Sequence, residues 1–363
     1  MTEQRSDEVW GGLTEIFGGR VKRPREHDGT EAGGAPATAP ASALASALAF
    51  VQPSDAEEVR RLAEVAAKHS VPVAPLGAGT AFGPVPPGSI LVRFDLMRGV
   101  SSPRPEEAWI EAEPGATWLE LEEVLRPTGH GLAVYPTSAP RATVGGWLAQ
   151  DGLGVGSFEH GWLSENVVSA DVVMVGGERR EARGDELPSL FAREGAHGLI
   201  VGAKLRTRRA DADVPFAASF PDAETLAGAV EGLTEARPPL WHVALLNPAM
   251  SRARASAEAH VLFGAYAGER EAEAAGPLRG VVEAHRGRLL GATDAHRVWG
   301  ERFFPVAPSH PTPEPADRVL ADAKGLLRVL ERLQREAVQG TVARSGEVLV
   351  LAFDGPLAGG RSR

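Results

Sequence analysis

From residue 49 onward, apolar residues recur at helix and strand spacings in turn. Val59, Leu62, Ala63 and Ala66 share one helical face. Ser54-Asp55-Ala56-Glu57 stands just before them and reads as a capping box, in which Ser54 and Glu57 each satisfy a free N–H at the helix start. The helix ends near His69-Ser70. A short strand over 49–51 precedes it and another over 71–74 follows, so the segment is a β-α-β unit. The turn that comes next lies at the carboxyl end of its second strand, where ligands commonly bind in α/β sheets. Further strands are expected over 89–96, 108–113, 167–175 and 199–206. A second capping box, Thr117 with Glu120, opens a helix with Trp118, Leu121, Val124 and Leu125 on one face. Past residue 210 the order is a helix over 223–236, strands over 240–246 and 259–266, and a helix over 269–286. That α-β-β-α order points to a separate α+β domain with a ferredoxin-like sheet. A helix over 315–336 and a strand over 347–353 close it. Before residue 49, a short helix around 7–17 is followed by an Ala-, Gly-, Pro-, Ser- and Thr-rich stretch over 29–47, which reads as a flexible linker.

Composition narrows the class. A chain of 363 residues suits two domains, and 42 glycines with 28 prolines favour an enzyme rich in turns over a helical bundle. A net charge of −10 excludes nucleic acid as a partner, because phosphate backbones need a basic face. With no cysteine, the chain has no disulfide, cysteinyl flavin link, Cys-ligated zinc or iron–sulfur cluster of its own. No apolar run reaches the length of a membrane span, and Met1 to Trp10 lack the basic-then-apolar plan of a signal peptide. The expected location is cytoplasmic, with membrane association only through a partner.

The candidate chemistry starts at Val71-Pro72-Val73-Ala74-Pro75-Leu76-Gly77-Ala78-Gly79-Thr80-Ala81-Phe82-Gly83. A turn of glycines and small residues has few Cβ atoms to block a ligand, and its successive N–H groups can hold an anion such as a phosphate or pyrophosphate. It is not the dinucleotide fingerprint, since Phe82 stands where a third glycine belongs, and no Gly-Lys-Ser/Thr follows to make a Walker loop. Taken alone it is equally a plain surface turn.

Its companions make it specific. Phe94-Asp95-Leu96-Met97, Glu113-Pro114-Gly115-Ala116-Thr117-Trp118, Pro136-Thr137-Ser138, Ala142-Thr143-Val144-Gly145-Gly146-Trp147-Leu148-Ala149 and Glu194-Gly195-Ala196-His197-Gly198-Leu199-Ile200 follow in order. This order resembles the FAD-binding domain of the vanillyl-alcohol oxidase/p-cresol methylhydroxylase superfamily. Within it, the chain is most similar to the FAD-linked subunits of glycolate oxidase and D-lactate dehydrogenase. The resemblance covers residues 49–210 well and 211–353 more faintly. It implies an α+β chain: a two-part PCMH-type FAD-binding domain over 49–210, then a reduced ferredoxin-like α+β substrate (cap) domain over 211–363, with a helix and linker over 1–48.

The resemblance also implies roles. Pro75, Leu76, Gly77, Ala78, Gly79, Thr80, Ala81 and Phe82 would hold the FAD pyrophosphate through backbone N–H groups. Pro136, Thr137 and Ser138 would lie along the flavin. Thr143, Gly145, Gly146 and Ala149 would come close to the isoalloxazine and phosphates. Glu194, Gly195, Gly198 and Ile200 would contact the adenine-ribose side. Asp151 and Gly152, also expected at the cofactor, stand in Gln150-Asp151-Gly152-Leu153-Gly154, where the family usually carries an Asn-containing segment. Four of the quoted positions have a second reading. Gly145 and Gly146 have close helix packing as their lesser alternative, Asp95 equally caps a turn, and Glu194 is structural or ribose-bound rather than catalytic. No histidine occurs in 75–82 or 152–158, so FAD is expected to be non-covalent; a tyrosyl link would fall on Tyr135, one of two tyrosines.

The implied reaction is oxidation of an alcohol or 2-hydroxy acid, with hydride passing to flavin N5, a base taking the hydroxyl proton and an Arg forking onto the carboxylate. Trp299-Gly300-Glu301-Arg302-Phe303 resembles the family's Trp-x-x-Arg segment. Arg302 is the candidate for the carboxylate, with a helix-surface ion pair as its other reading. Many members bind a metal through histidines near the C-terminal strand; the matching segment, Val338-Gln339-Gly340-Thr341-Val342-Ala343-Arg344-Ser345-Gly346, has none, and His242, His260, His285, His296 and His310 lack ligand spacing. No metal site is expected. The short C-terminus resembles the smaller FAD-binding subunit of the glycolate oxidase complex, whose partners would be a second flavoprotein and an iron–sulfur subunit. Three readings result: a FAD-dependent 2-hydroxy-acid dehydrogenase, alone or as a subunit; an accessory flavin subunit that passes electrons without a substrate site; and a degenerate scaffold. The missing histidines favour the second over a metal-dependent first, and the intact glycine loop argues against the third.

Overall fold

A computed structural model describes residues 3–23, 46–78, 85–104, 106–191, 198–210, 212–255, 258–303 and 317–353. The chain divides into two compact units that alternate along the sequence. Unit 1 takes Met1–Leu125, Ala139–Asp151 and Val167–Thr207; unit 2 takes Arg126–Ser138, Gly152–Asn166 and Arg208–Arg363. Unit 2 therefore includes two segments, 126–138 and 152–166, from within the stretch expected to form a single FAD-binding domain.

Unit 1 contains a four-stranded sheet in the order β1-β2-β4-β3, formed by β1 (Val21–Lys22), β2 (Ala49–Val51), β3 (Val73–Leu76) and β4 (Ile90–Arg93). β4 runs parallel to both β2 and β3 and separates them. It is buried along its whole length, as the apolar Ile90-Leu91-Val92 run requires of a central parallel strand. β3 lies at the edge and carries Pro75, which has no N–H to donate and is tolerated there for that reason. Helix α1 (Glu3–Phe17) and helix α2 (Ala56–Lys68) share a core with this sheet, in which Val9, Leu13, Val59 and Leu62 are fully buried. The expected helix around 7–17 is thus longer at its start. The linker stretch 29–45 lies outside the described residues.

The cap of α2 differs from expectation by one residue. Asp55, not Ser54, is the N-cap, and its carboxylate accepts from the Glu58 N–H at 2.9 Å. Glu58, not Glu57, reaches back and accepts from Ser54 N at 2.7 Å. Ser-Asp-Ala-Glu-Glu offers two overlapping capping frames, and the Arg20 guanidinium that binds Glu58 selects the later one. The second capping box forms as expected: Thr117 N donates to Glu120 Oε2 at 2.7 Å and Glu120 N donates to Thr117 Oγ1 at 3.3 Å. It opens α3 (Trp118–Leu125). Strands β5 (Trp109–Ala112), β7 (Val167–Met174), β8 (Arg179–Ala182) and β9 (Gly198–Arg209) pair antiparallel in the order β5-β9-β7-β8, while β6 (His130–Leu132) falls in unit 2.

Unit 2 is organised by a seven-stranded antiparallel sheet. Its strands are β10 (Asp213–Phe220), β11 (His242–Leu246), β12 (His260–Ala267), β13 (Arg288–Leu289), β14 (Asp317–Asp322), β15 (Ala337–Val342) and β16 (Glu347–Phe353), in the order β13-β10-β12-β11-β15-β16-β14. Alternate residues of β11 enter different cores. Val243 and Leu245 pack with Leu226, Val230, Leu278 and Val282; Ala244 and Leu246 pack with Met250, Ala295 and Val298. Both faces are covered, which is why this strand reads as an unbroken apolar run. The expected helix–strand–strand–helix series is the central part of this larger sheet.

One element is corrected. The helix expected over 315–336 is instead strand β14, a 3-10 turn at Ala323–Gly325 and a short helix at Leu326–Arg332. β14 is an edge strand whose burial alternates residue by residue along β16. Pairing with a buried neighbour outweighs the helix propensity of its own residues.

Candidate functional site

In unit 1, the end of β3 meets the start of helix α4 (Val144–Leu148). Thr143 is its N-cap, and its hydroxyl accepts from Gly146 N at 3.3 Å. A Cβ on Gly77 would fall 3.0 Å from Thr143 Oγ1 and 3.3 Å from the Gly146 Cα, and one on Gly146 would fall 2.9 Å from the same hydroxyl. The two backbones touch because neither carries a side chain. Gly77 and Ala78 are half-buried at this junction; Gly79, Thr80, Ala81 and Phe82 lie outside the described residues.

The other N–H groups at the start of α4 have protein partners. Val144 N donates to Ala116 O at 2.8 Å and Gly145 N to Pro114 O at 2.9 Å. A Cβ on Gly145 would stand 2.8 Å from Pro114 Cβ, so close packing accounts for this glycine. Asp95 accepts from Gln52 Nε2 at 3.2 Å and pairs with buried Arg93 at 2.7 Å, so internal pairing engages its carboxylate. Ala149 closes the helix, and Asp151 follows, buried, with a left-handed φ of 52° that Asp tolerates better than most residues. Gly198 and Ile200 lie on β9 opposite Met174 and Val172. Glu194 and Gly195 lie outside the described residues. Pro136, Thr137, Ser138 and Gly152 belong to unit 2.

Arg302 stands just past helix α5 (Ala292–Gly300) rather than on it. Its Nε donates to the Tyr135 hydroxyl at 3.2 Å and its Nη1 to Trp299 O at 3.1 Å. Its guanidinium carbon lies 4.6 Å from the Trp299 ring centre and 4.2 Å from that of Phe303. The arginine is thus held by an aromatic cluster that also contains Trp241, whose ring lies 6.0 Å from Tyr135 and 5.9 Å from Trp299.

His242, read from the sequence as a scattered core or surface residue, is wholly buried 5.8 Å from the Trp299 ring. Its Nδ1 accepts from Gly156 N at 3.4 Å, which leaves the proton of the neutral ring on Nε2, where no protein group receives it. Burial, reinforced by the Arg302 charge, pushes this imidazole down to about 3. A polar residue heading the fully buried strand His242-Val243-Ala244-Leu245-Leu246 was the one signal that could have marked it. Among the described residues, no group of three or more His, Cys, Asp and Glu side chains could hold a metal ion, and no helix is long and apolar enough to cross a membrane.

Residues 47–183 match the FAD binding domain family. The mitochondrial cytochrome-type D-lactate dehydrogenase of Arabidopsis thaliana is 30% identical over 171 residues, covering 44% of this chain and 30% of that protein. Glycolate oxidase subunit GlcD of Bacillus subtilis is 24% identical over 167 residues, covering 43% of this chain and 36% of the relative. The chain spans about a third of the length of each of these two relatives. The fold is that of p-cresol methylhydroxylase, matched with a TM-score of 0.78 at 14% identity over 98% of this chain and 84% of that one. The chain thus carries an FAD binding domain in a fold of the p-cresol methylhydroxylase type.

Proposed function

We propose that this chain is an FAD-dependent oxidoreductase that oxidises a small 2-hydroxy acid as one subunit of a glycolate- or lactate-type dehydrogenase complex. The observation that carries the reading is the close junction of Gly77 with Thr143 and Gly146, inside the stretch that matches the FAD binding domain family. A pyrophosphate needs a turn of small residues whose N–H groups no bulky side chain covers, and Gly77 and Ala78 fit that need. When bound, FAD would supply the hydride acceptor for oxidation at the substrate C2.

In this reading, Pro75, Leu76, Gly77 and Ala78, continuing through 79–82, hold the pyrophosphate. In unit 1, Thr143, Gly146, Ala149 and Asp151 approach the cofactor. Gly198 and Ile200, with Glu194 and Gly195, serve the adenine-ribose end. Arg302 binds the substrate carboxylate; its bonds to Tyr135 and Trp299 hold two of its nitrogens and present Nη2 to the acid. The name of the Bacillus subtilis relative, a glycolate oxidase subunit, supports the subunit reading. Because these 363 residues contain no cysteine, any cysteine-ligated cluster that takes the electrons onward lies outside them.

The test is the visible spectrum of the purified full chain, followed by anaerobic addition of glycolate, D-lactate and D-2-hydroxyglutarate. A yellow protein bleached by one of these acids is expected. A colourless protein that takes up no added FAD ends the reading, and a yellow protein that none of them bleaches, with or without its partners, restricts the chain to electron transfer.

A further inference from the structure

The turn between β15 and β16 is closed by Ala343 N donating to Glu347 O at 2.8 Å and Gly346 N to Ala343 O at 3.0 Å. It projects Arg344, whose guanidinium carbon lies 5.7 Å from the Phe158 ring centre. Arg344 Nε and Nη2 are both buried, and neither has a hydrogen-bond partner among the described residues. These two nitrogens form one edge of the guanidinium, with their N–H bonds parallel. Glu347, the nearest carboxylate in sequence, is taken by Trp162 Nε1 and Ser345 Oγ, each at 2.9 Å.

The surroundings are cationic. Neighbouring His160 is pushed down from its usual value by burial and by the charges of Arg208, Arg344 and Arg270, against the opposing pull of Glu159. Its Nε2 is buried without a hydrogen bond. The nearby carboxylates are engaged by the other two arginines: Asp213 accepts from Arg208 at 2.8 and 3.1 Å, and Glu159 accepts from Arg270 at 2.5 Å. Arg208 and Arg270 each have a carboxylate in an ion pair, whereas Arg344 has none among the described residues. Burying a charged fork without an acceptor is costly, so a third anion is the missing counterpart.

We infer that Arg344, with His160 beside it, forms a binding site for the carboxylate of a small organic acid, received two oxygens at a time by the empty Nε–Nη2 edge. A planar carboxylate matches that edge, and a compact ammonium in place of the guanidinium cannot make two parallel bonds. The site is independent of the role proposed for Arg302 and of the flavin chemistry.

The experiment is calorimetric titration of the full chain with malonate, acetate and inorganic phosphate, in the unmodified protein and in Arg344→Lys, Arg344→Gln and Arg302→Lys. Near-UV circular dichroism checks folding, and Arg344→Lys, which keeps the charge and the stem, carries the test if the Gln variant does not fold. Malonate is expected to bind at this site roughly tenfold or more weakly in Arg344→Lys than in the unmodified protein, while in Arg302→Lys, which weakens only the separate carboxylate site proposed at Arg302, the Arg344-dependent binding is expected to remain. Equal malonate affinity with and without Arg344 overturns the inference. Phosphate binding tighter than malonate overturns the carboxylate assignment. Loss of bound flavin in Arg344→Lys with malonate affinity unchanged assigns the fork to the cofactor instead and likewise overturns it.

Discussion

The start of α4 in unit 1 and the Phe158-His160-Arg344 region of unit 2 handle their polar groups in opposite ways. At the helix start, Val144, Gly145 and Gly146 each donate to a protein acceptor, and the glycines are explained by backbone lying against backbone. In unit 2, Arg344, His160 and His242 each bury a nitrogen that no protein group receives. Buried polar groups are nearly always paired, so these exceptions point to ligands, whereas the satisfied helix start presents shape rather than spare donors. At the helix start in unit 1 the missing side chains mark close packing, and in the unit 2 region the spare donors mark the carboxylate site proposed above.

The largest effect that would test the unit 1 half of this contrast is at Gly115. A Cβ there would lie 2.0 Å from Phe94 O and 2.7 Å from Met97 O, both backbone atoms that cannot swing aside. Gly115→Ala is expected to lower unfolding stability by about 3 kcal/mol, read by chemical denaturation. A loss within a few tenths of that of a surface substitution would show that this region is less tightly packed than described.

The next effect concerns His242 and sharpens the unit 2 half. The folded protein keeps this imidazole neutral down to about pH 3, whereas its unfolded value is 6.5. Between those values the unfolded chain binds one proton more. Stability is therefore full above about pH 6.5 and falls as pH drops, by about 1.4 kcal/mol per unit. From pH 7 to pH 5 the loss attributable to His242 is about 2 kcal/mol. Denaturation curves of the unmodified protein and of His242→Gln at both pH values should differ by that amount in their pH dependence; parallel behaviour would mean that the ring already meets solvent.

The smallest effect is at Thr143. Thr143→Ala removes the acceptor of Gly146 N and is expected to cost about 1 kcal/mol of stability. If FAD affinity falls much more than stability does, the hydroxyl serves the cofactor as well as the cap, and the contrast between the two regions narrows.

Much of the fold was legible in advance. The helix over 223–236 was read with its observed bounds, and the strands over 240–246 and 259–266 were read to within two residues, because unbroken apolar runs and a clean amphipathic face survive any environment that buries them. The Thr117–Glu120 box was legible because both partners lie within four residues. β14 was not, since an edge strand with alternate burial takes its conformation from β16. Nor was the choice of Asp55 as cap, which depends on Arg20, distant in sequence.

The candidate sites divide along the same line. The sequence marked the Gly77 turn through its run of small residues, and marked the Thr143-Val144-Gly145-Gly146 helix start and Arg302 through the family resemblance of their motifs. Only the tertiary structure set Arg302 against Tyr135, Trp299 and Phe303, buried His242, and placed Arg344 among Phe158, His160 and the already paired Arg208 and Arg270. Charge compensation and desolvation depend on which groups from distant segments share a low-dielectric space, and no spacing along the chain encodes that.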